Sequence, residues 1–233
     1  IYDTFRCENR NTVTNIRNIY TAILQNVRYL CNVFKNRNMK KNVGSVLALY
    51  PTPAVVVGTM IENKPAWLLA GHVGIIGHDR IMVSLHKAHH TNQGVKTTGR
   101  LSVNVVDEAL LPRADYVGIT SGAKVDKSQV FAWHSGEAGA PVIEDSPLAM
   151  ECKVVDNYET ETFDNFICKI SNTYVEEAML NENNKVDYNK LKPVLFEMPT
   201  YSYLKTGEMI GKCTLPGKKY REEQVKQVTI TDK

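Results

Sequence analysis

The sequence predicts a mainly β protein: a barrel of antiparallel strands with short inserted helices, preceded by an N-terminal amphipathic helix. Downstream of residue 39, short runs rich in β-branched residues alternate with turn-forming segments, which is typical of antiparallel strands. Strands and helices do not alternate regularly, so a doubly wound parallel sheet is not favoured. At 233 residues with 43% apolar content, the chain can bury one sizeable core.

The first residues follow a different pattern. Apolar residues spaced alternately by three and four positions predict an amphipathic helix over residues 12–36. Six basic and two acidic side chains give residues 1–38 a net charge of +4, so residues 39–233 carry −1 of the total of +3. We expect this helix to pack on the barrel or on a second subunit, with a membrane-surface or targeting role as the alternative. Because Met39 resembles a natural start, we interpret residues 1–38 as an N-terminal extension and residues 39–233 as the barrel domain with a C-terminal tail.

The remaining elements are predicted from local composition. Strands are expected at residues 54–59, 81–85, 101–106, 150–155 and 166–170, with residues 191–196 as a late strand or the approach to one. Short helices are expected at residues 91–97, 108–113 and 127–133. The acidic run between the fourth and fifth strands, residues 156–164, indicates a solvated hairpin rather than a pair of catalytic carboxylates.

The composition argues against several functional classes. A net charge of +3 is too small to indicate nucleic-acid binding, which normally needs a dense basic stripe. No run of about 18 apolar residues occurs, so no membrane span is predicted. The five cysteines are odd in number and form no CxxC pair, which argues against a disulfide framework and a cysteine zinc site. This usage favours a reducing compartment, the cytoplasm.

Residues 83–94, with the sequence VSLHKAHHTNQG, hold three of the six histidines. His86 and His90 have the spacing of a helical zinc pair, but no HExxH frame and no nearby acidic residue accompanies them, so no metal is predicted. A strand end that runs through Lys87 and Thr91 into a helix instead suits an anion such as a phosphate monoester. A solvated polar loop is the remaining interpretation.

Two further motifs do not match a known site. Gly71, Gly74 and Gly77 form a GxxGxxG pattern, which differs from the GxGxxG dinucleotide fingerprint. Ser135 follows His134 outside any GxSxG context, so a hydrolase is not favoured.

Five other motifs resemble one known family. They are LYPTPAVVVGT at residues 49–59, GRLSVN at 99–104, DYVGITSGAKVDKSQVF at 115–131, PVIEDSPLAMECKVVD at 141–156 and YLKTGEMIGK at 203–212. In this order and spacing they resemble the flavin reductase-like, FMN-binding split-barrel family, and in particular its flavoredoxin branch. The resemblance runs from about residue 39 to residue 212.

The resemblance implies a six-stranded antiparallel split barrel that forms homodimers, with FMN bound near the subunit interface. It implies an oxidoreductase that transfers electrons between NAD(P)H, or a ferredoxin-like redox protein, and flavin, with the redox chemistry supplied by the cofactor. A non-catalytic FMN-binding electron carrier and a ligand-free barrel acting as an interaction domain are the alternatives.

The resemblance also implies three groups of site residues, none of them catalytic and none a metal ligand. A segment along the isoalloxazine ring, offering backbone groups to its polar edge, would consist of Trp67, Leu68, Leu69, Ala70 and Gly71. The phosphate and ribityl chain would be held by Ser84, Leu85, Lys87, His89, His90 and Thr91. Three residues would lie near the pocket or its dimer neighbour, namely Asn104, Ser121 and Lys127.

Some positions depart from the family pattern. Ala66 and Leu69 stand where relatives often carry Asn and Thr, and His72 stands where many carry Trp. Imidazoles replace Arg or Tyr in the phosphate segment, and a histidine with an ordinary pKa near 6.5 is mostly neutral at pH 7. Phe163 stands where members that use a nicotinamide often have a histidine. The resemblance therefore does not favour NAD(P)H over a redox protein as the electron donor.

Overall fold

The computed structural model describes residues 40–231. The helix expected at residues 12–36 and the extension expected at residues 1–38 lie outside them. The chain divides into two compact units, Ile1–Ala48 and Leu49–Lys233, and every described helix and strand belongs to the second. No described helix is long and apolar enough to cross a membrane.

Twelve strands and four helices are described, and they are numbered here in chain order. The strands are β1 (Thr52–Pro53), β2 (Val55–Ile61), β3 (Lys64–Ala70), β4 (Val73–Ile75), β5 (Arg80–His86), β6 (Arg100–Val105), β7 (Trp133–Ser135), β8 (Pro141–Ile143), β9 (Leu148–Glu159), β10 (Phe163–Val175), β11 (Leu195–Glu197) and β12 (Ser202–Leu204). The helices are α1 (Thr91–Thr98), α2 (Leu111–Ile119), α3 (Tyr188–Leu191) and α4 (Leu215–Thr231), with a 3₁₀ turn at Glu177–Met179.

Seven strands form one antiparallel sheet that curls into a barrel, in the order β3-β2-β6-β9-β10-β5-β4. β3 and β4 stand at opposite ends of this order, yet only Gly71 and His72 separate them in the chain. The two ends of the sheet are therefore halves of one bent strand, and this bend closes the sheet into a barrel. Counted as one, β3 and β4 give six strands, as the resemblance implies. The predicted mainly β barrel class is confirmed.

The barrel interior is apolar because alternate residues of each strand point inward. Its fully buried residues include Val57, Val83, Val103 and Phe166. The free thiols of Cys152 and Cys168 lie in the same core, and burial raises the pKa of both. Neither thiol is therefore suited to nucleophilic chemistry in the folded protein.

A second apolar layer covers the outer face of β2 and β3. α2 contributes Ala114 and Val117 to this layer, where the rings of Trp67 and Phe131 meet edge to face with their centroids 5.5 Å apart. Trp67 lies across β2 at Gly58, where an added Cβ would come within 2.3 Å of the indole. The absence of a side chain at this glycine is therefore what lets the indole lie flat on the sheet.

The five main strands and the helix at residues 91–97 are confirmed. The helix expected at 108–113 begins later, at Leu111, because the Asp107 carboxylate accepts the N–H of Leu110 in a turn that precedes it. Residues 191–196 end α3 and begin β11.

The helix expected at residues 127–133 is wrong. The Asp126 carboxylate accepts the N–H of Ser128 at 2.8 Å, a local bond that competes with helix formation, and Trp133 already belongs to β7. The acidic run at 156–164 does form a hairpin, between β9 and β10, but one of its carboxylates is not solvated: Asp164 is buried at 1% exposure.

Candidate functional site

Three adjoining clefts surround the N-terminus of α1. The central cleft, about 210 Å³, is bounded by predicted site residues from three segments, Leu68, His89, His90, Thr91, Ser121 and Lys127. A larger cleft of about 310 Å³, here the outer cleft, shares His90, Thr91 and Lys127 with it and extends past Trp67. The third, of about 230 Å³, lies beside Lys87 and Lys96 and is here called the ion-pair cleft. Eight of the fourteen predicted residues thus border this depression, namely the six above with Lys87 and Trp67.

The N-terminus of α1 has features that suit a bound anion. Its first turn contains no acidic residue, and no side chain caps it. Within the described residues, the N–H groups of His90 and Thr91 have no backbone partner, whereas those of Asn92 and Gln93 bond back to the strap, residues 87–91. Free amides at a helix start, with the positive end of its dipole, favour a bound phosphate.

Lys127 brings a buried cation to the same place. Its Nζ donates to the carbonyls of Val117 at 2.8 Å and Thr120 at 3.0 Å, which lie at the C-terminal end of α2. Burial lowers its pKa to about 8. Gly122 packs between this side chain and His90, because a Cβ added there would stand 3.4 Å from each. Lys127 borders the central cleft, which no carboxylate lines, so no negative side chain there competes for its charge.

The ion-pair cleft has a different electrostatic character. Lys87 pairs with Glu159 at 3.1 Å, and Lys96 pairs with Glu159 at 3.3 Å and with Asp164 at 2.9 Å. The Asn92 amide donates to Asp164 at 2.7 Å. Burial alone would raise the pKa of Asp164, but bonds from Lys96 and Asn92 outweigh it and hold that pKa below its ordinary value.

Aromatic and imidazole rings form a row beside the strap. The ring centroid of Phe163 lies 5.9 Å from that of His72 and 5.5 Å from that of His86. The Tyr50 hydroxyl is 2.9 Å from Nε2 of His72. The pKa of His89 is lowered, first by its partial burial and then by the charges of His86 and Lys127. Among the described residues, no group of three or more His, Cys, Asp or Glu side chains could hold a metal ion.

The predicted ring segment is the edge strand β3. Side chains of Leu68 and Ala70 point into the barrel, and Trp67 lies under α2, whereas Leu69 is only partly buried. Gly71 stands against Phe196, which an added Cβ would approach to 2.9 Å. Because β3 pairs with β2 on one side only, its other side presents unpaired backbone N–H and C=O groups. These groups can meet a ligand with a polar edge.

Six predicted residues border none of the three clefts: Leu69, Ala70 and Gly71 of the ring segment, and Ser84, Leu85 and Asn104. The Ser84 hydroxyl donates to Asn165 at 2.7 Å on the outer face of the barrel, and Leu85 points into the core. Asn104 is fully buried, where its amide donates to the Val56 carbonyl and its oxygen accepts the N–H of Ile143. In this structure Asn104 fastens β8 to the barrel.

Sequence reasoning missed Glu159, Asp164 and Gly122. The two carboxylates reach the strap only through the pairing of β10 with β5, where Phe163 stands opposite His86, and of β9 with β10, where Glu159 stands opposite Asp164. Strand register of this kind is not readable from composition. Gly122 lies inside one of the motifs of the resemblance, but nothing in the sequence indicates that it packs between the side chains of His90 and Lys127.

Comparison with known proteins identifies the family. Residues 47–201 match the model of the flavin reductase like domain. A flavoredoxin from Methanosarcina acetivorans is 32% identical, with 78% of this chain and 99% of that one covered and a TM-score of 0.74. No curated protein sequence matches the chain.

Two more distant structures share the fold. An FMN-binding protein from Thermus thermophilus is 20% identical over 75% of this chain and 99% of that one, with a TM-score of 0.64. A putative flavin reductase with a split barrel domain, from Shewanella frigidimarina, is 15% identical over 70% and 85%, with a TM-score of 0.63. The chain therefore belongs to the flavin reductase-like family of split-barrel proteins, in its flavoredoxin branch.

Proposed function

We propose that the protein is an FMN-binding oxidoreductase that passes electrons between NAD(P)H, or a ferredoxin-like redox protein, and flavin. The observation that carries this proposal is the central cleft, where a buried lysine and free helix amides face a space with no carboxylate, in a chain of the flavin reductase-like family. The flavin, when bound, supplies the redox chemistry. FMN is also the flavin named for the similar Thermus thermophilus protein.

In this proposal the strap and Lys127 hold the phosphate. Thr91 and the amides of α1 donate hydrogen bonds, Lys127 and Lys87 supply positive charge, and His89, His90 and Ser121 complete the polar lining. Each of these groups is neutral or cationic, which fits a phosphate monoester.

The ring would lie along the free edge of β3. Backbone groups there offer both donors and acceptors, which matches the mixed polar edge of an isoalloxazine. Ala66 and Leu69 contribute no polar side chain, so backbone contacts carry the recognition. Ser84 and Leu85 would hold the end of β5 that leads into the strap, while Asn104 supports the site from beneath.

A carrier without turnover of its own is the second candidate, and Phe163 favours it. Its ring packs between His72 and His86, in the place where nicotinamide-using relatives often carry a histidine. A hydrocarbon ring offers no hydrogen bond to a nicotinamide carboxamide. A redox protein would not require that bond.

We propose further that the protein is a cytoplasmic homodimer. Described helices cover the β2 and β3 side of the barrel, whereas the β4 edge exposes Ile75 and Ile76. Exposed aliphatic side chains on an edge strand favour association with a second subunit. The buried free thiols are compatible with a reducing compartment.

The visible spectrum of the purified protein tests the proposal. We expect a yellow protein with flavin absorbance that releases FMN on denaturation, and a colourless protein that cannot be loaded with FMN would contradict it. Anaerobic titration then separates the two candidates. Bleaching of bound flavin by NADH or NADPH supports the enzyme, whereas bleaching only by a reduced ferredoxin-type donor supports the carrier.

A further inference from the structure

The ion-pair cleft is one of two spaces that adjoin the central cleft, so a ligand that continues beyond the first phosphate has either this cleft or the outer cleft to enter. It shares Ala88, His89 and His90 with the central cleft, so the two are separated only by the strap. A phosphate held at the strap therefore has this cleft as a direct neighbour, although Thr91 and Lys127 themselves border the central and outer clefts and not this one. What lines it decides which phosphate-bearing ligands fit.

The lysines of this cleft already have carboxylate partners within the protein. Lys87 and Lys96 both pair with Glu159, and Lys96 also pairs with Asp164, so two positive charges meet two negative ones. Hydrogen bonds and charge from Lys87 and Lys96 lower the pKa of Glu159, so it stays ionised at neutral pH. The central cleft differs in having a cation and no carboxylate.

We propose that Glu159 and Asp164 make the flavin site selective for a flavin monophosphate over a flavin dinucleotide. This inference rests on the proposed function. FMN ends in one phosphate monoester, which carries up to two negative charges near neutral pH. FAD continues from the same position through a second phosphate to an adenosine. That second phosphate would enter the ion-pair cleft, where it must displace Glu159 from both lysines or lie beside two carboxylates.

The two carboxylates differ in their usefulness for a test. Asp164 is buried and also binds Asn92 of α1, so its replacement would disturb the packing of that helix. Glu159 stands at the exposed end of β9 and can be changed without opening the core. Glu159→Gln keeps the shape and removes the charge.

Glu161→Gln is the matched control. Glu161 lies in the same hairpin turn, is exposed, and makes no ion pair within the described residues. Both variants lose one negative charge at neighbouring positions. Only Glu159 faces the lysines of the ion-pair cleft.

The experiment is a fluorescence titration of the full-length, flavin-free protein with FMN and with FAD. In the unmodified chain we expect FMN to bind more tightly than FAD. In Glu159→Gln the affinity for FAD should rise by roughly five- to tenfold, as removal of one like charge near a partly exposed phosphate predicts, and more than the affinity for FMN. Glu161→Gln should leave the ratio of the two dissociation constants unchanged.

Several results would overturn the selectivity. The ratio of the two dissociation constants in Glu159→Gln could stay as it is in the unmodified chain, which would contradict selectivity by Glu159. Weaker binding of both flavins would contradict it too, and would mean that Glu159 positions Lys87. A ratio that moved with Asp126→Asn instead would place the extension in the outer cleft, which Asp126 lines. Failure of the unmodified chain to bind either flavin would contradict the proposed function itself, and that result is distinguishable from FMN binding with an unmoved ratio.

Discussion

Lys127 connects the backbone of one helix to the candidate site. Its ammonium donates to two carbonyls at the end of α2, and the same residue borders the central cleft. Burial without a paired carboxylate lowers its pKa to about 8. A bound phosphate would supply the missing negative charge and raise that pKa again. Ligand binding and protonation of this residue are therefore linked.

This linkage predicts a pH dependence of FMN affinity. Below about pH 8 the amine is already protonated and affinity should be constant. Above that value the free protein loses the proton and binding must restore it, so affinity should fall by up to about tenfold per pH unit. Isothermal titration calorimetry from pH 7 to 9.5 would measure this. Constant affinity over the range would contradict the assignment.

Substitution of the lysine tests the same point directly. Lys127→Met keeps the apolar stem and removes the charge, so FMN binding should weaken by about 1–3 kcal/mol and lose its decline above pH 8. Lys124→Met is the control, because Lys124 is exposed and borders only the outer cleft. Equal losses in both variants would indicate a general charge effect.

Lys87→Ala and Thr91→Val test the strap. Each removes one donor to a charged phosphate and should weaken FMN binding by about 1–3 kcal/mol in fluorescence titrations. Lys169→Ala is the control, because Lys169 lies at the opposite end of the β5 and β10 ladder and is exposed. Unchanged affinity in both strap variants would remove the strap from the site.

At the scale of elements, α1 depends on a close approach to β2. A Cβ added at Gly94 would lie 2.5 Å from Thr59 and 2.8 Å from the Met60 carbonyl oxygen. The glycine thus brings the helix start close to the sheet, which positions the strap.

Gly94→Ala should therefore lower the free energy of unfolding by about 1–3 kcal/mol, because overpacking outweighs the better helix propensity of alanine. Urea denaturation measures the change. Gln93→Ala, at an exposed position of the same helix, should be neutral or slightly stabilising. Stabilisation by Gly94→Ala would show that the helix can shift without loss.

The β7 and β8 hairpin is fastened to β9 by a buried carboxylate. Glu151 accepts the N–H groups of Ala138 and Ala140 and bonds from Asn172 and Tyr174. Burial alone would raise its pKa, but these four donors outweigh burial and hold the pKa below the ordinary 4.5. The stabilisation it provides is therefore present above that value and is lost as the pH falls below it.

Glu151→Ala should lower the free energy of unfolding at pH 7 by about 2–4 kcal/mol, because several buried donors lose their acceptor. The difference from the unmodified protein should shrink as the pH falls from 5 towards 3, which chemical denaturation at each pH would show. Glu137→Gln, exposed in the turn of the same hairpin, serves as the control. A difference independent of pH would contradict the role of the ionised carboxylate.

At the scale of the whole molecule, local patterns predicted five of the strands that build the barrel, because β-branched runs such as Val55–Ile61 are buried wherever they pair, but they did not predict β3 or β4. The motif resemblance predicted the residues around His90, Thr91 and Lys127, which the fold brings together. It could not reveal Asp164, since a carboxylate in an acidic run is buried only by the register of β10 on β5. Asn104 shows the opposite case, in which a motif residue binds backbone rather than bordering a cleft.

The proposed dimer predicts a mass in solution of twice the 26.2 kDa of the chain. Sedimentation equilibrium would measure it. Ile75→Glu places a charge on the exposed β4 edge and should shift the protein towards monomer, because the charge would have to be desolvated in the interface. Val155→Glu, also exposed but on β9, is the comparison. A monomeric unmodified chain would contradict the proposal.

The reactivity of the two thiols buried inside the barrel provides a measure of how often the barrel opens. Cys213 is exposed, whereas Cys152 and Cys168 are shut off from reagent until the strands around them part. The rate of alkylation of these two thiols would therefore be set by rare local opening of the sheet and not by the reactivity of the reagent. Mass spectrometry of the labelled chain, with and without flavin, would then show how far a ligand bound at the strap slows the opening of a barrel whose core it does not touch.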